Sequence, residues 1–317
     1  MSQTKICALF MFNHRFERNL PMIERLYGKR FSHRHILMPF ATNPGPNISR
    51  VYELGRNFSG HIAQAARDFI REDFTHYVVI PDDLLLNPDI DEKNIIERLN
   101  LREGEGYINN LIAADALRYS WPWAGEAAGT FGRSAQAIDL KGLLPPAEEA
   151  KVRFENMGIV FPSSPGPANF FKRIAAQPKA ARTRWAYLYT LSLLGRKSPY
   201  PLLAGYSDFL VIPAAAIDRF AHYCGVMAAL NIFAEIAVPT ALALSTDRLK
   251  TELELNWHFV GSAAPRADPT GLKGVAFWKE EDFRPYAELL ARPLDEMIAT
   301  FPEDVLYLHP VKLSNYA

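Results

Sequence analysis

Along the first third of the chain, short apolar runs alternate with segments whose apolar residues recur at helical spacing. Lys5 to Phe12 is almost continuously apolar, as expected of a strand buried on both faces. A helix is predicted near Leu20 to Tyr27, then a second short strand at His35 to Met38 and a Pro/Asn/Gly loop from Phe40 to Ser49. Phe58 to Arg71 predicts a helix, because Ile62, Ala65, Ala66, Phe69 and Ile70 follow helical spacing. Tyr77-Val78-Val79-Ile80 is too short and too β-branched for a helix and predicts a third strand. Ile90 to Leu99 reads as a further helix. This alternation predicts an α/β fold with a mostly parallel sheet and helices on both faces.

The second part of the chain changes character. Tyr119 to Phe131 is aromatic and Gly-rich without periodicity, and Leu143 to Pro167 is dense in Pro and Gly, so both predict loops. Phe170 to Ala176 and Ala181 to Leu194 read as helices, with Trp185 a core residue. Gly205 to Pro213 predicts a strand, and Ala214 to Ala229 and Phe233 to Leu244 predict helices, with Pro239 near a start or kink. Pro285 to Ala299 predicts one helix or two, and Val305 to Leu308 a terminal strand. No repeat, low-complexity tract or clean linker interrupts the pattern. The expectation is one domain over 1–317, with a helical, loop-rich insertion in its second half.

Composition narrows the function classes. Of 317 residues, 49% are hydrophobic and 22% charged, an ordinary globular balance. Lys+Arg and Asp+Glu both total 35, so no whole-chain field favours nucleic acid. Cys7 and Cys224 make neither a disulfide framework nor a zinc spacing. No run approaches the ~20 apolar residues of a membrane-spanning helix. With no basic-then-apolar leader pattern either, a cytoplasmic protein is expected, free to make peripheral membrane contact.

The candidate chemistry starts where Tyr77 to Ile80 runs into Pro81-Asp82-Asp83. Open α/β sheets bind ligands just beyond the carboxyl ends of their strands. Two carboxylates there can hold a hard divalent cation, and such a cation neutralises a diphosphate. The alternative is a solvated Asp-Asp turn.

Asn57 to Pro88 resembles the nucleotide-sugar-binding half of GT-A-fold glycosyltransferases. Asn57, Gly60, Ala65-Ala66-Arg67 and Tyr77-Val78-Val79-Ile80-Pro81-Asp82-Asp83 carry the resemblance, which covers roughly the first third of the chain. It implies a GT-A-like domain, with 1–115 as nucleotide-sugar half and 116–317 as acceptor-binding and helical half. It also implies a nucleotide-diphosphate sugar donor, with a UDP-sugar first choice, and manganese or magnesium. The acceptor would be a hydroxyl of a glycan, a lipid-linked sugar or a small molecule. Pro81 stands where many members carry a first acid, so Asp83 becomes the metal ligand and Asp82 faces the sugar or ribose.

Other residues are read beside that resemblance. Asn13 and Arg15, at the end of the first strand, are candidates for a base edge and a phosphate, or form an exposed polar loop. Asn57 is a further donor-binding candidate, and Arg67 is a phosphate or carboxylate partner or a solvated helix residue. Asp208 orients donor or acceptor, or is the base in place of Glu235, or bonds a nearby backbone N–H at a strand start. Glu235 is the one acid in Asn231 to Leu244, and such a carboxylate needs a partner, solvent or a pocket. In the inverting members an acid in this part of the chain deprotonates the acceptor. His309 is a second metal candidate and Lys312 a diphosphate candidate. Trp121 and Trp123 are candidates for an acceptor pocket wall. Two rivals stay open: a sugar nucleotidyltransferase, which normally has a Gly-rich basic loop after its first strand, and a non-catalytic transferase fold that binds a sugar nucleotide or a partner protein.

Overall fold

The computed structural model describes residues 5–117, 121–133, 139–161, 198–252, 273–276 and 284–316. The chain begins β1 (Ile6–Met11), α1 (Leu20–Tyr27), β2 (His33–Pro39), β3 (Ile48–Val51), α2 (Phe58–Phe69) and β4 (His76–Pro81). Next come β5 (Leu85–Leu86), α3 (Ile95–Arg98), β6 (Gly106–Ile108), β7 (Ile112–Ala113), α4 (Ala114–Leu117), α5 (Pro122–Arg133) and α6 (Ala147–Asn156). Then follow β8 (Leu203–Ala204), β9 (Leu210–Pro213), α7 (Ala214–Ala229), α8 (Ala234–Ser245), β10 (Leu249–Thr251) and β11 (Lys273–Ala276). The last elements are α9 (Ala287–Leu290), α10 (Leu294–Ala299) and β12 (Val305–His309).

Among the described residues the central sheet has seven strands in the order β10-β6-β9-β4-β1-β2-β3. β3, β2, β1 and β4 are parallel. β9 enters antiparallel between β4 and β6, and β10 lies parallel to β6. The expected α/β class with a mostly parallel, helix-flanked sheet is therefore present. Its cause is visible in β1: Ile6, Ala8 and Phe10 pack with α1 on one face, while Cys7, Leu9 and Met11 pack with α2 and α7 on the other. Successive side chains of a strand point to opposite faces, so a doubly covered strand must be apolar throughout. A third cluster joins Trp121 and Phe131 of the α5 region to Phe154 of α6 and Ile236 of α8.

Several expectations need correction. Of the stretch Tyr119 to Phe131, Pro122 onwards is not a loop: Pro122 opens α5, and Trp121, Ala124, Ala128 and Phe131 are all buried at helical spacing. Their small and bulky residues alternate enough to hide the period. Within Leu143 to Pro167, α6 starts after Pro146 with Glu148 and Glu149 in its first turn. The loop assigned to Phe40–Ser49 ends early, because β3 already begins at Ile48. The helix expected from Ile90 shrinks to Ile95–Arg98, and the strand expected from Gly205 begins only at Leu210. Phe170 to Ala176, Ala181 to Leu194 and Trp185 lie outside the described residues.

A three-stranded sheet, β11-β12-β5, brings the end of the chain to the acidic strand end. β12 runs antiparallel to β5, with Tyr307 opposite Leu86 and Leu308 opposite Leu85. His309 must then arrive beside the residues that precede β5, and the Val311 N–H donates to the Asp83 carbonyl at 2.6 Å.

Candidate active site

β4 ends at Pro81, and the turn that follows sends the Asp82 and Asp83 carboxylates different ways. Asp82 is buried, accepts a hydrogen bond from Asn19 Nδ2 at 2.9 Å, and lies by the backbone of Asn13 at the end of β1. Burial, then the neighbouring Asp83 charge, pushes its pKa up to about 6, against the opposing Asn19 hydrogen bond. Asp83 instead faces His309, whose Nε2 lies 3.1 Å from Asp83 Oδ1.

His309 is held from its other side. Its Nδ1 hydrogen-bonds the Tyr206 hydroxyl, which also hydrogen-bonds the Asp208 carboxylate. Asp208 Oδ1 itself is 4.0 Å from His309 Nε2. The His309 side chain is only 9% exposed, whereas Asp208 and Asp83 are 15% and 28% exposed, so solvent reaches the carboxylates more than the ring. Burial is the largest single influence on His309 and opposes its charge, but Asp208, Asp83 and Glu235 together outweigh it and raise its pKa. Burial also raises the pKa of Asp208.

Glu235 joins this cluster from the first turn of α8. Its backbone carbonyl accepts the Gly205 N–H at 3.1 Å, which ties α8 to the segment carrying Tyr206 and Asp208. The Glu235 carboxyl is partly buried, and burial, reinforced by the Asp208 charge, pushes its pKa up to about 8. A carboxyl so shifted becomes free to accept a proton as pH rises towards 8. Gly205 is required by close packing: a Cβ there would sit 2.2 Å from the Asn110 carbonyl oxygen. Gly205→Ala should cost about 1–3 kcal/mol in urea unfolding, because a backbone atom has to move.

Comparison of the chain with protein-family models, curated proteins and solved structures finds no match.

The structure thus brings Asp83, His309, Asp208 and Glu235 together, with Asn13 beside Asp82. Lys312 is exposed three residues beyond His309. Arg15 stands on an exposed loop near Thr42 and Glu17. Asn57 makes no hydrogen bond to these carboxylates among the described contacts and donates to Asn231 Oδ1 at 3.0 Å. Arg67 is not brought in. α2 runs back against β4, so Arg67 sits at the helix end remote from Asp83, along a groove of about 420 Å³ shared with Asp218 and His222. Trp121 is buried in the helical core, while Trp123 is partly exposed. Sequence reasoning missed Tyr206 and Asn19. Tyr206 stands two residues before Asp208, so proximity was the one available signal, whereas nothing local marks Asn19.

A divalent cation suits the Asp83–His309 pair as two of its ligands. Ligands ~2.1 Å from one ion at a right angle are about 3 Å apart, close to the separation seen here. Imidazole bound to a metal usually donates its other N–H to a fixed acceptor, and Tyr206 stands there. Among the described residues no three His, Cys, Asp or Glu side chains converge on one metal position. The remaining ligands would be water and substrate phosphate, the usual completion of a magnesium-type site.

Proposed function

We propose that this chain is a GT-A-like glycosyltransferase, which moves a sugar from a nucleotide-diphosphate donor to an acceptor hydroxyl. The observation that carries the reading is the meeting of Asp83 and His309, 226 residues apart, at the carboxyl end of a parallel strand. The sequence features resembling the donor half of that family lead into the same point.

In this reading Asp83 and His309 hold the cation, which supplies charge neutralisation for the departing diphosphate. Tyr206 fixes the His309 ring, and Lys312 adds positive charge at the outer side. Asp82, gripped by Asn19, faces the donor's ribose or sugar together with Asn13. Glu235 accepts the proton of the acceptor hydroxyl, and Asp208 raises its basicity by like-charge proximity. Direct attack with Glu235 as base inverts the anomeric centre.

The test is a thermal-shift screen of UDP-, GDP-, CMP- and dTDP-sugars, with and without Mn2+. A ligand bound only by the folded state stabilises it by about 2.7 kcal/mol at a hundredfold excess over Kd. For a chain of this size that is a shift of several degrees. One nucleotide class is expected to give it, and only with metal. A well-folded sample that responds to no donor would overturn the reading.

A further inference from the structure

We propose that Trp123, Phe233, Arg56, Glu126 and the paired amides of Asn57 and Asn231 form a subsite for a neutral saccharide. The assignment of that saccharide as acceptor rests on the transferase reading above. These residues come from three segments: the turn before α2, the helix α5, and the turn before α8.

Placement is the first argument. Asn231 and Phe233 lead directly into α8, whose first turn carries Glu235. They stand four and two residues before the proposed base in the chain.

The apolar surface is the second. Trp123 and Phe233 are stacked, with centroids 4.9 Å apart and planes 28° apart, and both rings are partly exposed. Trp121 backs Phe233 edge-on from the core at 5.8 Å. The edges of these rings that stay exposed can take the C–H groups of a pyranose without loss of a hydrogen bond.

Polar groups at the rim complete the argument. The Arg56 guanidinium lies over the Trp123 ring, 4.5 Å from its centre, and is ion-paired with Glu126, both side chains being partly exposed. Asn57 donates to Asn231, whose backbone sits at φ 54, a left-handed conformation that Asn tolerates. Planar guanidinium, carboxylate and amide groups match vicinal hydroxyls, which both donate and accept. Arg56 and Glu126 cancel each other's charge. A phosphate or uronate would have to break that pair, whereas a neutral sugar would not.

The experiment titrates the full chain with neutral mono- and disaccharides (glucose, galactose, mannose, maltose, lactose, cellobiose) and with glucuronic acid, without nucleotide. Saturation-transfer NMR and tryptophan fluorescence read binding. At least one neutral sugar should bind, and Trp123→Ala should weaken it about tenfold or more, as expected for loss of an aromatic anchor. Trp123→Phe, which keeps a ring, should retain most affinity and guards against a folding defect in the alanine variant. Absence of any neutral-sugar signal, equal affinity in Trp123→Ala, or preference for glucuronic acid would each overturn the subsite. The nucleotide screen is separate. A nucleotide response without saccharide binding defeats this inference alone. Saccharide binding lost in Trp123→Ala without any nucleotide response keeps the subsite and defeats the transferase reading.

Discussion

Glu235→Gln should cut transfer by about 10²–10⁴-fold while making the protein more stable at pH 8. Both effects have one cause. Burial and the Asp208 charge disfavour the Glu235 carboxylate, so the folded protein holds the proton to about pH 8, against an ordinary value of 4.5. Between those values folding takes up a proton, and stability falls as pH rises through that window. Above pH 8 the loss is complete; below pH 4.5 both states are neutral and it vanishes. The amide stays neutral throughout, so the variant should match the wild type near pH 4.5 and exceed it at pH 8. At 1.36 kcal/mol per pKa unit the ceiling is on the order of 3–5 kcal/mol, and solvent access to the carboxyl lowers it. Thermal melts at the two pH values read this effect. The wild-type kcat/KM should climb with pH towards 8, and the variant should lose that limb. A variant with unimpaired transfer would remove Glu235 as base, and one no more stable at pH 8 would remove the buried-carboxyl account.

Asp83→Ala and His309→Ala should each abolish the metal-dependent part of nucleotide-sugar binding. If the two side chains share one cation, losing either leaves too few protein ligands, and the double variant should be hardly worse than either single one. Such non-additivity is the mark of residues acting as a unit. Each variant should still fold, with a stability loss of about 1–3 kcal/mol from the broken charged hydrogen bond. Isothermal titration of the donor with and without Mn2+ measures the coupling directly. Additive losses would mean that the two residues act on the donor independently. Asp82→Ala is the contrasting control. Its carboxyl is turned towards Asn19, so the metal dependence should survive while donor affinity falls.

Much of the fold was legible because it depends on local patterning. The continuous apolar run of β1, the β-branched run of β4 and the periodic faces of α1, α2 and α7 all report burial that the chain imposes on itself. α5 escaped because its buried face mixes Trp and Phe with Ala and Gly, which blurs the contrast that periodicity needs. β3, β6 and β10 escaped because strands of three or four residues are stabilised by the neighbouring ladder and not by their own composition. In the site, Asp83, Asp208, Glu235 and His309 were each legible as chemically capable residues. Their convergence was not, since His309 reaches Asp83 only through the pairing of β12 with β5.

The sequence by itself determined the α/β class, the parallel strands of the first part, and an acidic pair at a strand's carboxyl end. These follow from side-chain period and turn chemistry, which act over a few residues. Tertiary structure alone decided which aspartate faces His309, that Tyr206 stands behind that histidine, that Arg67 lies elsewhere, and that burial and the Asp208 charge push the Glu235 pKa up. Each of those depends on strand pairing, helix direction or the loss of solvent around a charge. Such effects come from residues far apart in the chain, and no local spacing encodes them.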